Sequence, residues 1–392
     1  MTQQPQTLAE WYSTFDADDF VWIDNYQHRR DKIVEERNQR KQARKRRDRR
    51  YFGETIKVTT DPTTKDWFVD TYQLPQFSSE IALAEWLDIP ISRLRWFTYD
   101  NPAETAWHYT KTVIPKRSGG KRVILAPKPE LKAIQRRILD EILVNFHMED
   151  CVHGFVQGRS IVTNAIPHVG KAYVAKLDLK NYFPTVTTFR VQRFFAKIYP
   201  SAVATALALL MTEYDREPVE HQGKTYYVSI GNRHLVQGAP TSPMMANILT
   251  RQLDLRLTGL AQSHGFAYTR YADDLTFSGD NHDTAVHLLS IAQDVIRDEG
   301  FVVNQDKLRI LSQATRQHVT GVIVNERLSS PRETRRKLRA ILHNAQQTGL
   351  SAQNRENHPA FRDYLRGLIA HLHNINPEQA RRYLTQLEAL SD

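Results

Sequence analysis

The residues best suited to chemistry in this 392-residue chain lie in two short phrases. In the first, Tyr271-Ala272-Asp273-Asp274, adjacent carboxylates stand between alternating strand residues: Phe266, Tyr268 and Arg270 before, Leu275 and Phe277 after. That pattern predicts a hairpin with the two aspartates at its two-residue tip. Like charges held there repel and lose solvation, which favours a neutralising cation, and carboxylate oxygens suit a hard divalent ion. An ordinary Asp-Asp turn is the competing reading of these four residues alone. The second phrase runs Ala175-Lys176-Leu177-Asp178-Leu179-Lys180-Asn181-Tyr182-Phe183-Pro184, and in it Asp178 leaves a strand whose alternate positions, Tyr173, Ala175, Leu177 and Leu179, are apolar. Alone, Asp178 reads more readily as a capped or salt-bridged aspartate. Set beside the hairpin, it would bring three carboxylates to one point. Such a group can hold two magnesium ions and align an attacking hydroxyl with a leaving pyrophosphate.

Both phrases require a sheet, and the flanking sequence supplies one. Strand patterns over Tyr173 to Leu179 and Phe266 to Phe277 are separated by helical stretches around 189–213 and 243–257. Ser242 is placed to cap the second of these, with Pro243 at its first position. A third helix carries Leu288, Ile291, Ala292, Val295 and Ile296 on one face, ends at Gly300 and feeds a short strand, Phe301 to Asn304. Upstream, Ala84, Leu87, Ile91 and Leu94 predict a helix pair interrupted at Pro90. Tyr109, Lys111 and Val113 alternate into a turn at Ser118-Gly119-Gly120, and Val123 to Leu125 return as a basic-tipped hairpin. Pro129 opens a helix faced by Leu131, Ile134, Ile138, Leu139 and Ile142. After Pro331 the chain reads as helical. The whole is an α+β fold, a sheet backed by helices.

Composition narrows the function classes. With 41% apolar and 25% charged side chains, the chain is neither wholly disordered nor collagen-like. Its longest apolar run, 202–211, falls short of the roughly 20 residues that cross a bilayer, and no signal pattern opens it, so a cytoplasmic, membrane-free protein is expected. The lone Cys151 offers neither an internal disulfide nor a zinc spacing. Net charge is +9, unevenly spread. Residues 29–50 hold twelve Lys or Arg against four acids, and 327–339 hold six against Glu333, which leaves the remainder mildly acidic. Basic edges around an acidic centre suit a nucleic-acid partner, although a solvated polar helix over 29–50 is an alternative. Residues 1–55 otherwise read as helical, with aromatic residues such as Trp11, Phe15 and Trp22 that call for a packing partner.

Taken together, the phrases resemble the reverse transcriptases. The palm motifs occur in order: the Asp178 strand, Gln237-Gly238-Ala239-Pro240-Thr241-Ser242-Pro243, Tyr271-Ala272-Asp273-Asp274, and Gly300-Phe301 leading to Lys307. The resemblance spans about residues 80 to 325. It implies a right-hand polymerase fold with fingers, palm and helical thumb. The implied division is a basic N-terminal extension over 1–55, fingers with part of the palm over 56–172, the catalytic palm over 173–325 and the thumb over 326–392. It also implies that Asp178 and Asp273 bind two Mg2+ ions, with Mn2+ as a substitute, while Asp274 supports them and Lys307 acts as general acid. Phe183 would bar a ribose 2′-hydroxyl, so that dNTPs are the substrates. Gln237 and Gly238 would approach the incoming nucleotide, and Lys116 and Arg122 would grip its triphosphate.

Two further phrases resemble the bacterial retron branch: Asn164-Ala165-Ile166-Pro167-His168 as Asn-Ala-x-x-His, and Val319-Thr320-Gly321 as Val-Thr-Gly. Arg95-Trp96-Phe97 and His153-Gly154-Phe155 are similar to the same group. The retron resemblance implies recognition of a cognate structured noncoding RNA, priming from a guanosine 2′-hydroxyl, and a branched RNA–DNA product, the multicopy single-stranded DNA (msDNA). It further implies a role in antiphage defence with an effector protein and reliance on a host RNase H. RNA contact is expected from Asn164, His168, Val319, Thr320 and Gly321, and from thumb residues Arg332, Arg335, Arg336, Lys337 and Arg339. The alternatives are another bacterial reverse transcriptase, of group II intron or phage-defence type, and a catalytically silent RNA-binding scaffold.

Overall fold

The computed structural model describes residues 74–101, 103–115 and 119–390, together with Gln39. The chain divides into two compact units, 1–59 and 60–392, and every described residue except Gln39 belongs to the second. The N-terminal aromatic cluster, the basic run over 29–50 (Gln39 apart) and Lys116 lie outside the described residues.

Helices α1 (Glu80–Trp86) and α2 (Ile91–Thr98) form the expected pair, with Pro90 as the cap of the second. After the short β1 (Ala103–Glu104), strands β2 (Tyr109–Pro115) and β3 (Lys121–Pro127) make the antiparallel basic hairpin, and α3 (Pro129–Glu141) begins at Pro129. Helix α4 (Ile161–Ala165) precedes β4 (Tyr173–Asp178). Helices α5 (Thr188–Phe195) and α6 (Ser201–Met211) come next; the apolar run of the sequence is α6, buried along most of its length. A long hairpin, β5 (Glu213–His221) and β6 (Lys224–His234), leads to α7 (Ser242–Ser263). Thr241 is the N-cap of α7 and Ser242 its first residue, one position earlier than the sequence suggests, because Pro243 is accommodated anywhere in the first turn.

The central sheet is antiparallel throughout, in the order β7 (Ala267–Tyr271), β8 (Asp274–Gly279), β4 and β9 (Arg309–Ser312). Helix α8 (His282–Asp298) joins β8 to the segment that reaches β9. Phe301 to Asn304 is not the expected strand. It makes a single bridge, Leu179 to Val303, because the chain crosses the end of β4 there and does not run along it. Side-chain alternation divides the sheet into two faces. Tyr173, Ala175, Leu177, Leu275, Phe277 and Arg270 share the face where α7 and α8 pack. Val174, Lys176, Asp178, Asp274, Thr276 and Ser278 share the other.

Strands β10 (His318–Val319) and β11 (Val322–Ile323) form a small hairpin. Helices α9 (Arg332–Thr348), α10 (Phe361–Ile375) and α11 (Pro377–Glu388) then build a separate apolar core from Leu338, Leu342, Leu365, Leu372 and Leu387. Among the described residues no helix is long and apolar enough to cross a membrane.

Candidate active site

The register of the sheet sets the carboxylates. Asp178, the last residue of β4, pairs with Asp274, the first of β8, and Asp274 also pairs with Tyr271 across the hairpin. The tip is therefore Ala272-Asp273, not Asp273-Asp274, and Ala272 takes the left-handed conformation (φ 56°) that the tight turn demands. Asp273 also joins the strand: its carbonyl accepts from the Leu179 N–H at 2.9 Å. Asp178 is 5% exposed. Its Oδ2 accepts from Lys307 Nζ at 2.7 Å and its Oδ1 from Asn304 Nδ2 at 3.2 Å. The 3-10 turn Gln305–Lys307 thus delivers a cation to the end of β4.

The electrostatics follow from burial and crowding. Burial, then the charges of Asp178 and Asp274, push the Asp273 carboxyl up to about 6. Asp274 is also raised, first by burial and then by Asp178, against the opposing pull of Lys176. The hydrogen bond to Asp178 raises the Lys307 ammonium, which stays protonated at neutral pH. Carboxylates this close, opposed by Lys176 and the half-exposed Lys307, have the donor chemistry for a hard divalent cation. They are not gathered as tightly as the sequence suggests: among the described residues no three His, Cys, Asp or Glu side chains close around one point. Asp273 sits on the turn, outside the Asp178–Asp274 pair.

These residues open on a cleft of about 1220 Å³ whose walls include Arg122, Phe155, Phe183, Gln237, Asp273 and Lys307. Phe183 is half-buried in the turn after β4, its ring 5.5 Å from that of Tyr182. Arg122 is exposed on β3. The Gln237 carbonyl accepts from Leu125 N–H at 2.7 Å, which ties this loop to the β2–β3 hairpin. Gly238 has a structural role here in addition to the expected nucleotide approach. At φ 116° an added Cβ would lie 2.7 Å from the Leu125 carbonyl oxygen, so the glycine lets the loop meet β3.

Behind the hairpin lies a network that sequence reasoning missed. Arg270, fully buried, forks onto both oxygens of Asp254 at 2.7 Å. Its Nη1 donates to Tyr182 Oη at 3.0 Å, Asn247 Oδ1 at 2.9 Å and the Ala272 carbonyl at 3.1 Å. One guanidinium therefore links α7, the turn after Asp178 and the tip that bears Asp273. The signal was present, in a charge at an apolar-facing strand position and an aspartate on the buried side of a helix. The β5–β6 hairpin was missed too, although Tyr226, Val228 and Ile230 alternate and Gln222-Gly223 marks its turn at φ 50° and 71°. It walls the cleft with Asp215, Glu217 and Ile230.

Of the five retron-type residues expected to touch RNA, Asn164, His168 and Val319 have buried side chains. His168 is fully buried, with Nδ1 paired to Ser278 Oγ and Nε2 to Thr269 Oγ1, each at 2.7 Å. Asn164 is 1% exposed and Val319 0%. These side chains brace the sheet and the β10–β11 hairpin and do not face solvent. The two phrases nevertheless meet: Asn164 Nδ2 reaches Thr320 Oγ1 at 3.4 Å, and Thr320 Oγ1 donates to the Ile161 carbonyl at 3.2 Å. Gly321, at the turn, is exposed. On α9, Arg332, Arg336, Lys337 and Arg339 are exposed, opposite the buried Leu338 and Leu342, while Arg335 is half-buried.

A paired-carboxylate hairpin beside an aspartate-ended strand, with helices behind and a basic hairpin before it, is the arrangement that the following comparisons assign to an RNA-directed DNA polymerase. The family described as "Reverse transcriptase (RNA-dependent DNA polymerase)" matches residues 114–324. The Retron Mx65 reverse transcriptase of Myxococcus xanthus is 43% identical over 340 residues, 85% of this chain and 78% of that protein. The Retron Mx162 reverse transcriptase of the same species is 42% identical, over 81% of this chain and 68% of that one. The Retron Ec86 reverse transcriptase of Escherichia coli is 28% identical over 79% and 88%. Among solved structures, a Candida albicans telomerase bound to a fragment of telomeric RNA covers 80% of this chain and 69% of its own, at TM-score 0.44 and 11% identity. The chain belongs to the bacterial retron reverse transcriptases.

Proposed function

We propose that this enzyme copies a cognate structured noncoding RNA, primed from a guanosine 2′-hydroxyl of that RNA, into branched RNA-linked msDNA, in an antiphage system with an effector protein. The observation that supports this reading is the meeting of Asn164 with Thr320, 156 positions apart. Two phrases that each look incidental form one structural joint at the base of the palm, and Ile375 of α10 packs into the same apolar cluster. In this reading, Ile375 packs the proposed thumb against Ala165 and Val319 of the two retron-type phrases.

In the proposed chemistry Asp178 and Asp273 hold the cations, two Mg2+ with Mn2+ as a substitute, and Asp274 supports them. When bound, these ions supply Lewis-acid stabilisation for the attacking hydroxyl and leaving pyrophosphate. Lys307, kept protonated by Asp178, is positioned as a proton donor toward the pyrophosphate. Phe183 bars a 2′-hydroxyl on the incoming sugar, Gln237 lies beside it, and Arg122 with Lys116 holds the triphosphate. Arg332, Arg336, Lys337 and Arg339 lie along the duplex and read its shape. A host RNase H removes the copied RNA.

Co-expression of the chain with its neighbouring noncoding RNA gene tests this reading. Extracted nucleic acid is expected to contain DNA joined covalently to RNA and released by a 2′,5′-debranching activity. DNA without that branch would overturn the priming assignment.

A further inference from the structure

The loop between α3 and α4 presents an aromatic ring to the cleft in a backbone conformation that such residues avoid. Phe155 has φ 62°, in the left-handed region, where a bulky side chain is disfavoured and where strain gathers at functional sites. Phe155 is 45% exposed, whereas Tyr182, next to Phe183, is 4% exposed. The same loop uses glycine where it needs only the left-handed turn: Gly158, at φ 75°, has open space around it. Position 155 therefore carries two unfavourable features, strain and an exposed ring, that a glycine would remove.

The surrounding contacts hold the ring in place. The His153 N–H donates to the Arg270 carbonyl at 2.8 Å, and Asn247 Nδ2 donates to the Gly154 carbonyl at 2.8 Å. At Gly154 an added Cβ would fall 2.5 Å from the Ala272 nitrogen, so the loop lies directly on the tip of the Asp273 hairpin. Arg159 closes the loop from below, donating to the Glu149 and Val152 carbonyls at 2.5 Å each. The Phe155 ring then stands 6.4 Å from Phe183 and 6.4 Å from Tyr271. It lines the same cleft as Gln237 and Asp273.

We infer that Phe155 is a substrate-contact residue: its ring forms, with Phe183, an aromatic wall against which the incoming deoxynucleotide packs. Aromatic rings exposed in a charged cleft serve nucleotides by stacking, which every base supports. The inference rests on the polymerase reading of the cleft and assigns a further residue to it.

The test is single-nucleotide extension of a generic primer–template by the full chain carrying Phe155→Ala, Phe155→Gly or Phe155→Tyr. Alanine and glycine are each expected to raise the dNTP KM about tenfold, within the range of base–aromatic stacking, with primer–template affinity unchanged. Tyrosine should retain the wild-type KM. Glycine should melt above alanine, because it alone relieves the left-handed strain. Three results would overturn the inference: an unchanged dNTP KM in both ring-deleted variants, a glycine variant that recovers the KM lost by alanine, or loss of primer–template affinity with dNTP KM intact. The last would assign the ring to the duplex. Extension that survives the combined Asp273→Asn and Asp274→Asn change would instead refute the reading of the cleft itself, and the inference with it.

Discussion

Two clusters of charge occupy opposite faces of the same four strands, and they are built on opposite rules. Behind the sheet, Arg270 and Asp254 are both fully buried and pair through two 2.7 Å contacts, with Tyr182, Asn247 and Ala272 taking the remaining donors. In front, Asp178, Asp273 and Asp274 lie near one another with Lys176 and Lys307 opposing their charge, and Asp273 is held up to about 6 by burial and its neighbours. The rear cluster is complete as folded, whereas the front is short of positive charge. That contrast separates support from the proposed chemistry: one guanidinium fixes the carbonyl of Ala272, and the next residue carries the carboxylate proposed to hold a cation.

The largest expected effect breaks the front cluster and spares the rear. Changing Asp273→Asn with Asp274→Asn should reduce DNA synthesis by at least about 10³-fold, since several kcal/mol of charge stabilisation leave with the metal ligands. RNA binding, measured by filter retention, should persist, and the apoprotein should melt no lower than wild type because like charges have been removed. Magnesium should raise the melting temperature of wild type but not of the double variant. Full synthesis by that variant would end the metal assignment.

Breaking the rear cluster should invert this pattern. Arg270→Met leaves Asp254 buried without its ion-pair partner, with the Tyr268 hydroxyl still donating to it at 3.0 Å, and removal of one member of a buried pair costs about 3–5 kcal/mol. The urea midpoint should fall accordingly. Synthesis by the fraction still folded should need more Mg2+, because the tip that carries Asp273 loses its anchor. A midpoint close to wild type would show that the ion pair contributes little beyond what an apolar side chain supplies.

The contrast also explains which parts were legible in the sequence. Alternation around Tyr271-Ala272-Asp273-Asp274 is a local signal, and it gave the hairpin and the strand of Asp178. It did not give the two-residue tip, which depends on pairing Tyr271 with Asp274. Arg270 was visible only as one charge among apolar neighbours, since its partner lies 16 residues upstream on another element. His168 and Asn164 misled for a related reason. Polar side chains in a short motif suggest a ligand, but here their partners are Thr269, Ser278 and Thr320, brought near by the fold. The β5–β6 hairpin was overlooked because charges at Glu213, Asp215, Arg216 and Glu217 mask its alternation, and Arg216 is buried on Glu213 and Glu104 at 3.1 Å each.

The smallest effect sharpens the comparison along the front face itself. His168 lies on the same face as Asp274, near the far end of β8, yet it is satisfied as a neutral ring between two hydroxyls. Burial pulls it down to about 3, and burial likewise lowers His153 to about 4. An unfolded histidine titrates near pH 6.5, so between about 6.5 and 3 the unfolded chain binds the proton that the native ring refuses. Stability from His168 is therefore complete above about pH 6.5 and falls as pH drops toward 3, by at most about 1.4 kcal/mol per pH unit. His168→Gln should keep the direction of the pH response while removing one proton from the slope below pH 6; the His153 share remains. Urea titrations at pH 7.5, 6 and 5 measure this directly. An unchanged slope would mean that His168 is already protonated in the fold, and a cation between Ser278 and Thr269 would erase the distinction between a front end built for charge and a far end built without it.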